Sequence, residues 1–151
     1  MDAVALYVGG YDEDAGAGDR EWRLEKRNRI SGTLDSSDFG TSGVVRSSAG
    51  LFDSEIRTLA IDSTAIYIAG HTNFDGDGRI RVEKRTLFEG ELVSDFNAGG
   101  ILSIDPGTGD DQNPAIALDG TSLYLALGDS SPQILSIFKS VLKNEMPQRA
   151  P

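Results

Sequence analysis

The chemistry-bearing side chains gather in two acidic segments, Tyr11-Asp12-Glu13-Asp14-Ala15-Gly16-Ala17-Gly18-Asp19 and His71-Thr72-Asn73-Phe74-Asp75-Gly76-Asp77-Gly78. In the second, Asp75 and Asp77 put carboxylates two residues apart on a Gly-rich turn, which is how a calcium loop begins, because hard cations take closely spaced oxygen ligands. The pattern then breaks. Arg79 stands at the next odd position, and no bidentate Glu follows. A solvated turn whose Asp and Gly residues tolerate unusual φ angles explains the same residues. The expectation is no metal ligand and no cofactor, with Asp75 and Asp77 marking where calcium would bind.

His71 is the one histidine and cysteine is absent. A histidine metal cluster, a Ser-His-Asp triad, thiol catalysis and thiolate metal sites are therefore excluded within this chain. His71 reads as a surface turn residue. Carboxylate pairs for glycosidase-type chemistry stay open, because 24 acidic residues offer many pairs. Glu25 with Glu83 and Asp62 with Asp119 are instead explained by an internal repeat, and no catalytic residue is assigned. Glu25-Lys26-Arg27 and Glu83-Lys84-Arg85 read as cross-strand charge pairs on a solvated face. Trp22 reads as a core or rim packing residue, since it aligns with Ile80.

The formal charge of −10 repels phosphate backbones, so nucleic acid is not an expected partner. The longest apolar runs are too short to cross a bilayer, so membrane insertion is not expected either. The first residues run directly into a strand without the basic and apolar regions of a signal peptide. If the protein is exported, its signal lies outside this stretch. Eighteen glycines in 151 residues, with short apolar runs broken by Gly, Asp, Asn and Ser, give an all-β reading.

What must position these residues is a repeat of about 57 to 60 residues. Ala5-Leu6-Tyr7-Val8-Gly9-Gly10 recurs as Ala65-Ile66-Tyr67-Ile68-Ala69-Gly70, and again as Ser122-Leu123-Tyr124-Leu125-Ala126-Leu127. Trp22-Arg23-Leu24-Glu25-Lys26-Arg27 recurs as Ile80-Arg81-Val82-Glu83-Lys84-Arg85. Each unit holds four strand-like runs, placed in the complete copy at 56–62, 65–70, 79–86 and 100–104. The first two are joined by the short polar turns Asp62-Ser63-Thr64 and Asp119-Gly120-Thr121. The second run is apolar on both parities, Ile66 and Ile68 against Tyr67 and Ala69, as a strand covered on both sides requires. The third alternates, Trp22 and Leu24 one way and Arg23, Glu25 and Arg27 the other, which predicts one solvated face. Small residues in the first run (Ala60, Ala115, Ala117) suit a crowded central channel.

Four antiparallel strands per repeat is the blade of a β-propeller. The phrase from Gly32-Thr33-Leu34-Asp35 through Asp38-Phe39-Gly40 to Gly43-Val44-Val45, with the segment from Ile61-Asp62 to Gly70, resembles the delta-60 repeat and, more loosely, the SBBP bacterial β-propeller repeat. The resemblance extends to about Val141. The departures are an extra acidic residue before Phe39, Val93-Ser94-Asp95-Phe96-Asn97 in the second copy, and no outer strand in the third. It implies an exported or cell-surface protein, extracellular in location, and implies no reaction.

The predicted organisation is propeller repeats over 1–141, with a partial blade at 5–48, a complete one at 56–104, a partial one at 113–141, and a tail at 142–151. Two and a half blades form an incomplete ring, because closure takes about four to eight. The open ends then need the remaining blades of a longer chain, or self-association. The expected function is a non-catalytic binding or structural module of an exported or surface protein. The alternative is a segment of a propeller hydrolase, glycosidase-like, whose active site is completed by missing blades.

Overall fold

The computed structural model describes residues 5–13, 20–48, 53–74, 77–105, 111–129 and 135–141; for the strand residues 74, 77, 111–112, 128–129 and 135–141 it describes the backbone only. Among them are ten strands and no helix: β1 (Ala5–Glu13), β2 (Arg20–Asn28), β3 (Val44–Ser47), β4 (Glu55–Ile61), β5 (Ala65–Phe74), β6 (Asp77–Thr86), β7 (Ile101–Ile104), β8 (Asp111–Leu118), β9 (Ser122–Asp129) and β10 (Leu135–Val141). They form three antiparallel sheets ordered β1-β2-β3, β4-β5-β6-β7 and β10-β9-β8. The all-β expectation and the grouping of strands as three, four and three hold; no sheet closes on itself among the described residues.

One register runs through all three sheets. Tyr7 faces Lys26, Tyr67 faces Lys84 and Tyr124 faces Lys139, while Gly9, Ala69 and Ala126 face Leu24, Val82 and Ile137. The polar turn before the central strand is also built alike. Asp62 Oδ1 accepts from the Thr64 amide (2.7 Å) and hydroxyl (2.7 Å) and the Ala65 amide (2.9 Å). Asp119 Oδ1 accepts from Thr121 (amide and hydroxyl, both 2.9 Å) and the Ser122 amide (2.8 Å). In each case the second carboxylate oxygen takes the hydroxyl of the tyrosine five residues on, Tyr67 at 3.1 Å and Tyr124 at 2.7 Å. These bonds hold the chain in a tight reversal that an Asx residue favours.

The entries to β3 and β7 depend on glycine. Gly43 and Gly100 adopt φ of 85° and 94°, conformations costly for a residue with a Cβ. Each carbonyl caps the preceding long strand, accepting the Lys26 or Lys84 amide at 3.0 Å. A Cβ on Gly43 would also come 2.8 Å from the Asp35 carbonyl oxygen.

Strand alternation divides the core between two sheet-on-sheet junctions. Ile66 and Ile68 of the middle sheet pack with Tyr7, Trp22, Leu24, Phe39 and Val45 of the first. On the other parity Ala65, Tyr67 and Ala69, with Ile80, Val82 and Phe96, pack against Leu123, Leu125 and Leu127 of the third. The expectation that this strand is covered on both faces is met. Tyr7 against Phe39 (5.8 Å between ring centres) and Tyr67 against Phe96 (6.2 Å) repeat the same aromatic pair, one per junction.

Three local expectations are corrected. The strands run further than their Gly-rich ends predicted: β1 reaches Glu13, and β5 with β6 stay paired out to Phe74 opposite Asp77. Hydrogen bonding to the facing strand overrides turn propensity there. His71 therefore lies in β5 opposite Ile80, half-buried, rather than in a surface turn. Ala115 and Ala117 are exposed, not crowded.

Candidate functional site

The charged residues of the third run form a hydrogen-bonded network in the middle sheet, and they correct the expectation of a solvated face. Glu83 is 0 % exposed. Its Oε1 lies 2.5 Å from Arg81 Nη2, and its Oε2 accepts from Arg85 Nε at 2.7 Å. Arg85 Nη1 also donates to the Gly90 carbonyl at 2.6 Å. The pairing runs along one strand at i and i+2, not across strands, because alternate residues of β6 share a face. The first sheet covers it: Ser47 Oγ bonds both Glu83 Oε1 (2.8 Å) and Arg81 Nη2 (3.2 Å), and the Arg81 guanidinium lies 5.7 Å from the Trp22 ring centre. Trp22 is 1 % exposed and its Nε1 donates to the His71 carbonyl at 3.2 Å, so the packing role expected for it holds.

The same triad recurs on β2. Glu25 accepts from Arg23 Nε at 2.7 Å and from Arg27 Nε at 2.6 Å, and Arg27 Nη1 donates to the Gly32 carbonyl at 2.7 Å. Here the network spreads instead of being covered. Asp12 takes Arg23 Nη1 (2.8 Å) and Arg46 Nη2 (2.7 Å), and Glu21 pairs with Arg46 at 3.4 Å. Three carboxylates and three guanidiniums thus balance on one face. Leu6 and Val8, opposite Arg27 and Glu25, are 48 % and 41 % exposed, whereas their counterparts Ile66 and Ile68 are 0 % and 1 % exposed. The outer side of the first sheet is therefore a copy of a buried face with nothing packed on it among the described residues.

Asp12, Glu25, Asp35, Asp62 and Asp119 all titrate below the ordinary carboxylate range. For Glu25, burial pushes the carboxyl up but the bonds from Arg27 and Arg23 outweigh it. Asp12 is lowered by Arg46 and then Arg23, and Asp35 by the Ser37 hydroxyl and amide. In Asp62 burial is outweighed by the Thr64, Ala65 and Tyr67 donors, and Asp119 is lowered first by Tyr124. Such groups are held ionised by structural donors, whereas a general acid near neutral pH needs a raised value.

Asp75 and Gly76 lie outside the described residues, and of Asp77 only the backbone is described, at the start of β6. No group of three or more His, Asp or Glu arranged for a metal ion occurs among the described residues. The first acidic segment is described only as far as Glu13. The Arg-Glu-Arg triads were missed as a unit, although Arg23-x-Glu25-x-Arg27 and Arg81-x-Glu83-x-Arg85 were available as a repeated signal. A scan against protein-family models, a search of curated proteins and a search of solved structures each returned no match.

Proposed function

We propose that the chain is a non-catalytic structural and binding module whose three sheets are blades of a β-propeller, working as part of a larger ring in an exported or surface protein. One observation carries this reading: the same two kinds of sheet face meet at both junctions. Trp22 and Leu24 of the first sheet cover Ile66 and Ile68 of the second, and Ile80 and Val82 of the second cover Leu123, Leu125 and Leu127 of the third. Repeated sheets stacked by one rule propagate about an axis and close when enough are present. The contact of β4 with β8, the equivalent edge strands of the second and third sheets, suits innermost strands converging on that axis. The non-catalytic part is supported by carboxylates engaged with arginines or turn amides and titrating low. Export rests on the delta-60-like phrases at 32–45 and 61–70.

A crystal structure of the chain tests the reading. The expected result is three sheets fanned about an axis on the side of β4 and β8, with the carboxylates at its mouths apart from one another. A flat stack, or two carboxyl groups about 5 to 9 Å apart flanking the axis as in glycoside hydrolases, would overturn it.

A further inference from the structure

The two leftover faces are not alike. The outer side of the first sheet offers Leu6 and Val8 beside the Arg23-Glu25-Arg27 triad, the pattern that the middle sheet presents to its neighbour as Ile66, Ile68 and Arg81-Glu83-Arg85. The outer side of the third sheet offers Tyr124 and Ala126, both half-buried, at the positions where the first two sheets present Tyr7 and Gly9, and Tyr67 and Ala69. In β10 opposite them stand Lys139 and Ile137, in register with Lys26 and Leu24 and with Lys84 and Val82. One end is a receiving face and the other a covering face. Inside the chain these two kinds already meet twice.

Resting on the module reading above, we propose that the Leu6/Val8 face is covered by the Tyr124/Ala126 face of a second copy of this chain, and the reverse at the other end. The contact is heterologous, so it must either close or propagate. Two chains of three sheets make six, within the four to eight over which such rings close. No strand has to be shared between copies, because each incomplete sheet stacks as a separate unit. Covering the triad needs no counter-ion: Asp12, Glu21 and Glu25 already balance Arg23, Arg27 and Arg46. The equivalent triad, with Glu83 0 % and Arg85 6 % exposed, shows that such a network accepts a covering sheet.

Sedimentation velocity on the full-length chain from micromolar to near-millimolar concentration, with Val8→Arg and Ala126→Arg as separate variants, tests this. The expected wild-type species has twice the 16.1 kDa chain mass. Each variant alone loses it, its dissociation constant rising by about thirtyfold or more, the scale of an interface hot spot. Both variants must act, because every head-to-tail junction uses one face of each kind. A contact between like faces would survive one of the two substitutions, and that result overturns the proposal. Far-UV circular dichroism confirms that each variant keeps its sheets, and Leu6→Arg repeats the test on the receiving face. A folded wild-type monomer throughout would also overturn the second copy as occupant. It would leave the module reading intact, since that reading stands or falls on the sheet arrangement within one chain.

Discussion

Glu83 lies between two guanidinium groups with no exposure to water, so its removal strands two positive charges in a covered junction. Breaking a buried ion pair from one side costs about 3 to 5 kcal/mol. Glu83→Ala should therefore lower the urea unfolding free energy by that amount. Glu25→Ala, measured at concentrations dilute enough to keep the chain monomeric, should cost clearly less, because in the single chain Arg23 and Arg27 stay partly hydrated. Equal losses would mean that the two triads share one environment. The turn aspartates give the chain an acid-sensitive stability. Asp62 and Asp119 have folded-state values below the ordinary 3.8, so the unfolded chain takes up protons first as the pH falls. Their contribution is fully present above about pH 4 and is lost as the pH drops through the folded values. Urea midpoints should stay level from about pH 7 to pH 5 and decline below about pH 4. The double variant Asp62→Asn and Asp119→Asn should be less stable at neutral pH and show a shallower acid decline. An unchanged decline would remove these two carboxylates from the explanation.

At the level of strands and sheets, the first junction can be read through one side chain, because Trp22 is the only tryptophan. It is buried against Ile66 and Ile68, and its ring nitrogen is satisfied by the His71 carbonyl. Its emission should be blue-shifted and resistant to iodide, and Trp22→Ala should cost about 3 to 5 kcal/mol in urea unfolding followed by circular dichroism. Free quenching would mean that the first two sheets do not pack as described. These elements were legible in the sequence to the extent that they repeat. Ile66 and Tyr67 on opposite parities announced a strand covered on both sides, and the Asp62 and Asp119 turns announced the reversal before it. What the sequence hid was set by neighbours. The strand around Gly10 and His71 continues because a facing strand pairs with it, and no local propensity records that. Arg81, Glu83 and Arg85 looked solvated because alternating charge on a strand usually is. Glu83 and Arg85 are buried, and Arg81 largely so, because the first sheet delivers Ser47 and Trp22 onto them.

The whole molecule presents two faces of the kinds that are covered inside the chain, which leaves a third sheet-to-sheet contact to be made. Leu6 and Val8 are half-exposed where their counterparts are fully buried, and covering both would gain on the order of 1.5 to 3 kcal/mol per side chain at most. The balanced Asp12, Arg23 and Arg46 cluster keeps that face soluble until it is covered. The sequence showed that the ends were unfinished, and it left the remaining blades of a longer chain and self-association both open. The register of Tyr7, Tyr67 and Tyr124 shows stacking to be the simpler route, because each end already has a partner of the right kind within the same chain. The most direct test is electron microscopy of the assembled particle. The expected result is a closed ring of six sheets around an axial channel, with Leu6 and Val8 buried against Tyr124 and Ala126. An open filament, or a pair of chains joined through two like faces, would contradict it.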